Sequence, residues 1–266
     1  TARKRWASSD EPHAGGHPGA ARFHFSNPSE SILTELSHND WQKRAKAVTF
    51  KTQAFIGGKW VDAASGKSFD VVNPATNQVI ASVAECDAED VDRAVKAARA
   101  AFASGSWSRR TPEERKVVLL RMAELIRKHR DELAVIDTLD MGKPIGLTAA
   151  YDIPGSADNW QWFAEAIDKV YDEVAPTGHG NLAMIRRDAL GVVAAIVPWN
   201  YPFQMATWKV APALATGNSV ILKPAEQSPL SALKMAELAA EAGIPDGVFN
   251  VLPGFGEPAG PALGLH

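Results

Sequence analysis

The sequence predicts an α/β fold: an open parallel sheet with helices on its faces. Three apolar runs, Gly191 to Val197, Ser219 to Leu222 and Val248 to Leu252, carry this expectation. Each runs into a loop of distinctive composition and then into a helical pattern, as in a β-α-β series with right-handed crossovers. The loops are Pro198-Trp199-Asn200-Tyr201-Pro202, Lys223-Pro224-Ala225-Glu226 and Gly254-Phe255-Gly256. Open α/β sheets bind ligands at the carboxyl ends of their strands, so the three loops are expected to share one crevice.

The elements follow in order. Phe55 to Val61, with Gly57-Gly58 at its centre, is a hairpin signature. Asp87 to Phe102 places Val91, Ala94, Val95, Ala98 and Phe102 on one helical face, with Asp87 as the cap. Thr111-Pro112-Glu113-Glu114 reads as a capping box with proline at N1, opening a helix to about Arg130. Asp152 to Tyr171 is expected as one long helix. The Gly191–Val197 run is nearly all apolar, which predicts a parallel strand buried on both faces. Phe203 to Thr216 is helical with Gly217 as its stop, and Ser228-Pro229 predicts an N-cap and N1 for a helix ending at Gly243. The chain closes within the helix that follows Val248 to Leu252.

Composition narrows the classes. The chain has 266 residues, 45% hydrophobic and 22% charged, enough to bury a real core. A formal net charge of −3 gives no reason to expect nucleic acid or an anionic membrane as partner. One cysteine precludes an internal disulfide, and no run approaches a membrane span. The composition reads as that of a cytoplasmic globular protein. Residues 1–38, with Arg3-Lys4-Arg5 and four histidines (His13, His17, His24, His38), lack periodicity and are expected to be an irregular tail rather than a metal tract.

The Trp199-Asn200 loop, the Lys223–Glu226 loop and the Gly254–Gly256 loop, in that order, resemble the NAD(P)-dependent aldehyde dehydrogenase superfamily. The similarity extends back through Phe55–Trp60, Val72–Thr76 and Leu139–Pro144. Ala164 to Tyr171 and the Pro-Trp-Asn-Tyr-Pro variant look most like the aminoaldehyde branch, such as γ-glutamyl-γ-aminobutyraldehyde dehydrogenases. The resemblance implies a partial aldehyde-dehydrogenase-like fold with a Rossmann-like nucleotide-binding sheet, truncated before the catalytic domain. It divides the chain into an incomplete NAD-binding domain (39–171 and 190–266) and an oligomerisation arm (172–189).

The implied chemistry is oxidation of an aldehyde to the acid. A thiolate attacks the carbonyl to give a thiohemiacetal, an oxyanion hole stabilises the developing charge, and hydride passes to a nicotinamide. By resemblance Asn200 donates its side-chain N–H to the oxyanion; otherwise it is a turn asparagine. Lys223 and Glu226 would hold the adenosine ribose, and the Glu226 carboxylate would repel a 2′-phosphate, favouring NAD over NADP. Otherwise they are a solvated ion pair in an exposed loop. Gly256 would let the backbone approach the cofactor, although glycines in such turns often only permit a positive φ. Main-chain groups of Ile196, Val197 and Pro198 would line the cofactor floor, and Trp199 would pack beside the nicotinamide unless it is a buried structural tryptophan.

Tyr201 and Trp208 are expected in a substrate tunnel or, equally, in ordinary core packing, and Trp160, Trp162 and Phe163 could join the tunnel mouth. Asp140 matches a position that holds an alkali cation in some members of the family, although a capping aspartate explains it nearly as well; no firm metal site is expected. Cys86 is read as structural or incidental, so the nucleophile and general base are expected beyond His266. The resulting expectation is the amino-terminal part of an NAD-dependent aldehyde dehydrogenase, homo-oligomeric at full length and inactive as this piece. The alternative is a complete non-catalytic nucleotide-binding or subunit-interaction module.

Overall fold

The computed structural model describes residues 36–266; the expectations for the residues before these lie outside it. Helix α1 (His38–Ala47) opens on a Ser37 capping box and buries Trp41. The start of this helix falls within the stretch that the sequence predicts as an irregular tail. Strands β1 (Ala54–Ile56) and β2 (Lys59–Val61) form the expected hairpin, with Gly57 and Gly58 at φ +60° and +80°. Such a two-residue turn requires both positive dihedrals.

A second hairpin, β3 (Ser68–Asn73) and β4 (Gln78–Ala84), alternates buried and exposed residues along β3 and turns at Asn77, which adopts φ +55°.

Helix α2 (Ala88–Ser104) is capped by Asp87 and stopped by left-handed Gly105. Helix α3 (Pro112–Lys128) starts at the Thr111–Glu114 capping box, in which Glu114 N–H donates to Thr111 Oγ1 at 3.3 Å and Thr111 N–H donates to Glu114 Oε2 at 2.8 Å. Thr111→Ala is expected to cost about 1 kcal/mol in a urea unfolding experiment. His129 separates α3 from α4 (Arg130–Met141), which ends at left-handed Gly142.

The helix expected over 152–171 forms, but it begins earlier and stops two residues short. A short turn α5 (Ile145–Leu147) passes through a π turn at Thr148–Asp152 into α6 (Ile153–Ala166), which tightens to a 3₁₀ turn at Ile167–Lys169. Val170 is extended, and both it and Tyr171 are exposed. Ile167 is the last residue of this stretch to be buried, and with no apolar face left to cover, the helix has nothing to hold it further.

The arm is an antiparallel pair, β5 (Glu173–Ala175) with β6 (Ala183–Ile185). Strands β7 (Val192–Ile196), β8 (Ser219–Lys223) and β9 (Phe249–Val251) are parallel, linked by α7 (Pro202–Ala215) and α8 (Leu230–Ala242). Helix α9 (Gly256–Leu265) follows β9.

The main sheet has order β2-β1-β9-β8-β7, so the first hairpin extends the parallel strands in antiparallel sense through Phe55 opposite Val251. β8 is central and buried throughout. β7 departs from expectation: it is an edge strand with Ala194 and Ile196 exposed. A run of apolar residues cannot by itself distinguish a central strand from an edge one.

The core lies between this sheet and α3, α4, α6, α7 and α8, around Trp107, Phe203, Leu214 and Phe249. Trp160 belongs to it. It is fully buried, its indole N–H donating to Thr207 Oγ1 at 3.3 Å, so its role is packing rather than lining a tunnel mouth. Among the described residues no helix is long and apolar enough to cross a membrane.

Candidate functional site

At the carboxyl ends of β7, β8 and β9 the three loops converge on a cleft of about 770 Å³. Trp199 comes from the first loop, Glu226 and Gln227 from the second, and Phe255 from the third. The opposite wall is built by Phe69, Asp70 and Val72 of β3, Pro74 and Asn77 of its turn, and Asp140 and Met141 at the end of α4, of which only Asp140 is a site candidate from sequence. The sequence signal for that wall is the Val72–Thr76 stretch followed by Asn77, a residue type that tolerates the left-handed conformation a tight turn needs. Phe69 and Phe255 close one end of the cleft, with ring centroids 5.0 Å apart.

The loops are tied to one another. The Val197 N–H donates to the Lys223 carbonyl at 3.2 Å, which continues the β7–β8 ladder into the first loop. Ser228 Oγ lies 3.4 Å from the Trp199 carbonyl. Ser228 therefore does not cap α8 as expected. The helix starts at Leu230, and the side chain that satisfies its first N–H comes from another helix: Leu230 donates to Asp140 Oδ2 at 2.8 Å. A carboxylate at a helix N-terminus is favoured by both the orphan N–H groups and the helix dipole.

Lys223 is not a solvated surface group. Its side chain is 2% exposed, donating to the Pro224 carbonyl at 2.9 Å and to Glu226 Oε2 at 3.4 Å, while Glu226 is 29% exposed at the cleft. Burial pulls the Lys223 ammonium below its ordinary pKa, and Glu226 opposes that shift. An ammonium carries three donors, so one N–H remains for a further acceptor.

Two more carboxylates, both on α4, are buried. Asp137 and Asp140 are each 1% exposed, and Oδ1 of each has no hydrogen-bond partner among the described residues. Burial pushes Asp137 up to about 7, reinforced by the nearby Asp152 carboxylate and opposed by Ser231, the Phe203 N–H and Lys143. Burial likewise holds Asp140 well above the usual carboxylate range, against the effect of its bond from Leu230.

The remaining sequence candidates scatter. Trp199 is 54% exposed, which rules out the buried structural reading. Asn200 is exposed one residue along. Ile196 and Pro198 are exposed and Val197 is buried. Tyr201 and Trp208 are 40% and 48% exposed, so neither is packed in the core, and neither lines the cleft. Trp208 instead faces a separate groove with Leu190, Val193, Ala194 and Ile196 on the open side of β7.

Gly256 begins α9 with open space where a Cβ would stand, whereas Gly254 at φ +155° would put a Cβ 2.6 Å from the Cys86 carbonyl oxygen. Cys86 itself is fully buried, and its N–H donates to the Pro253 carbonyl at 3.0 Å. Burial, with Asp90 and Asp87 adding to it, pushes the thiol far up, so no thiolate forms there near neutral pH.

Residues 60–266 match the Aldehyde dehydrogenase family. The chain is 51% identical over 226 residues to the NADP/NAD-dependent aldehyde dehydrogenase PuuC of Escherichia coli (strain K12), covering 85% of this chain and 46% of that protein. It is 50% identical over 235 residues to the aminoacetaldehyde dehydrogenase of Pseudomonas aeruginosa, covering 88% and 47%. Among solved structures, the γ-glutamyl-γ-aminobutyraldehyde dehydrogenase of Burkholderia cenocepacia superposes with a TM-score of 0.85 at 55% identity, over 87% of this chain and 47% of that one. The P. syringae indole-3-acetaldehyde dehydrogenase in complex with NAD+ gives 0.85 at 54%, over 87% and 47%. The chain spans about half the length of the curated relatives it matches.

Proposed function

The chain belongs to the aldehyde dehydrogenase family, and from that premise we propose that it supplies the NAD-binding part of an enzyme oxidising an aldehyde, most nearly an aminoaldehyde, to its acid. The observation that carries this reading is the buried Lys223 paired with Glu226 at the mouth of a cleft to which all three strand-end loops contribute. A donor and an acceptor held 3.4 Å apart suit the vicinal hydroxyls of a ribose. The apolar faces of Trp199, Val72 and Phe255 provide surface for flat rings beside them. When bound, NAD would supply the hydride acceptor, and this chain's residues would bind and orient it.

Glu226 would accept from the diol while Lys223 gives its third N–H. Main-chain groups of Ile196, Val197 and Pro198 would flank the same end of the sheet, and Gly256 would permit close approach at the third loop. Asn200, exposed beside Trp199, would point its amide toward the oxyanion of the reacting aldehyde. Tyr201 and Trp208 would face the substrate side. Asp140, with one oxygen holding α8 and the other unpartnered, would lend that oxygen to an alkali cation. The exposed apolar residues of the arm, Val174, Leu182 and Met184, support a role for it in pairing with a second subunit. Relatives of bacterial origin support a cytosolic setting.

Titration of the purified chain with NAD and with NADP, followed by calorimetry, tests this reading. NAD is expected to bind more tightly than NADP. Glu226→Gln should weaken NAD about tenfold, the loss of one charged hydrogen bond, and erase the preference over NADP. Binding of neither nucleotide at millimolar concentration would refute the assignment of the cleft.

A further inference from the structure

The loop bearing Trp199 and Asn200 leads straight into Tyr201, whose carbonyl accepts from the Met205 N–H of the helix but whose side chain makes no bond to that helix. Its backbone is non-helical at φ −145°, ψ 67°, and it makes no side-chain capping bond. What meets it comes from outside that loop. Lys143 Nζ lies 3.8 Å from the centre of the Tyr201 ring, well inside the range of a cation–π contact. The same ammonium donates to Asp152 Oδ2 at 2.5 Å.

Both members of the ion pair are largely removed from water, their side chains being 14% and 8% exposed, whereas Tyr201 is 40% exposed. Both are also placed by specific backbone features. Lys143 follows the left-handed Gly142 that ends α4, and Asp152 closes the π turn that enters α6. π turns interrupt helices at functional positions more often than elsewhere, and here the interruption coincides with the carboxylate that holds Lys143.

We propose that Lys143 is a positioning residue: anchored by Asp152, its ammonium clamps the Tyr201 ring and so fixes the turn from which Asn200 projects. This rests on the reading of Asn200 as the oxyanion donor for its catalytic meaning, while the clamp itself is a property of the chain alone. An oxyanion donor works only when its geometry is set before the charge develops. Tyr201 is the covalent neighbour through which a side chain outside the loop can set it. The neutralising carboxylate lets the ammonium hold the ring without adding a net positive charge at the site.

The test is backbone amide exchange in the purified chain. The reporter is Met205, whose N–H donates to the Tyr201 carbonyl at 2.8 Å, with Leu214 in the same helix and Ile221 in β8 as controls. Lys143→Met is expected to speed Met205 exchange about two- to fivefold, the range of one partly exposed cation–π contact, and to leave the controls unchanged. Lys143→Arg should restore the wild-type rate, because guanidinium keeps both contacts. Tyr201→Leu alters a half-exposed residue and so leaves folding intact; it should match Lys143→Met, with no further change in the double variant.

Unchanged Met205 exchange in Lys143→Met, or effects that multiply in the double variant, would overturn the proposal. So would acceleration of the control amides to the same extent, which marks a general loss of stability. Failure of the chain to bind NAD would defeat the cofactor reading but leave the exchange result standing.

Discussion

Replacing Gly254 by alanine is expected to lower the thermal midpoint by roughly 6–12 °C, which corresponds to about 3 kcal/mol for a chain of this size. The new Cβ would lie 2.6 Å from the carbonyl oxygen and 3.2 Å from the nitrogen of Cys86. Those are main-chain atoms, and the Cys86 N–H is itself committed to the Pro253 carbonyl, so no side chain can swing aside to make room. The φ of +155° adds strain for any residue with a side chain. Gly256→Ala is the contrast. Nothing stands within 4 Å of its Cβ, and it occupies the first turn of α9, where alanine is the better helix former. Its stability should be unchanged or slightly raised, while NAD affinity should fall if the cofactor backbone passes close to it. Differential scanning calorimetry of the two variants, with NAD titrations alongside, separates a glycine needed by the fold from one needed by a ligand. Equal stability of Gly254→Ala and wild type would mean that the third loop is not held against Cys86.

Asp137→Asn should stabilise the chain above neutral pH, and the gain should vanish in acid. The folded-state pKa of about 7 lies above the value near 3.8 of an unhindered aspartate. The folded chain therefore holds a proton that the unfolded chain has lost. The favourable contribution is complete below about pH 4, declines as pH rises, and is gone above pH 7. Three pH units correspond to about 4 kcal/mol, an upper bound because water and neighbouring groups relax around a buried charge. A rise in midpoint of about 4–10 °C at pH 8, shrinking to nothing by pH 4, is the expected pattern. A difference independent of pH would show that the carboxyl is not protonated in the fold. Lys143 sets a useful control here. It is close enough to lower the Asp137 pKa, so Lys143→Met should shift the titration upward.

Much of the architecture was legible from local signals. The capping boxes at Asp87 and Thr111, the Gly57-Gly58 turn, the glycine stops at Gly217 and Gly243, and the order of β7, β8 and β9 are decided within a few residues of chain. The convergence of Trp199, Glu226 and the Gly254–Gly256 loop at one end of the sheet followed from the β-α-β order, because parallel strands place all their carboxyl ends on one side. Misjudged elements failed for specific reasons. The helix expected over 152–171 tightens to a 3₁₀ turn where its apolar period stops at Ile167, and β7 is not buried on both faces as its apolar run predicts, because hydrophobicity does not report which strand lies at an edge.

The nature of Lys223-Pro224-Ala225-Glu226 as a motif belongs to the sequence; that its lysine is buried and its glutamate opens on a cleft belongs to the packing. The same division holds for Asp140. Its sequence neighbours mark it as a helix-end residue, but only the assembled chain shows it satisfying the first N–H of α8, a helix 90 residues away. The wall built by Phe69, Val72 and Pro74, and the contact of Lys143 with Tyr201, have the same origin. Turns and caps depend on interactions between near neighbours and are written in short stretches of sequence. The depth of a charge and the partner of an exposed ring depend on which distant surfaces close over them, and those are set by the tertiary fold.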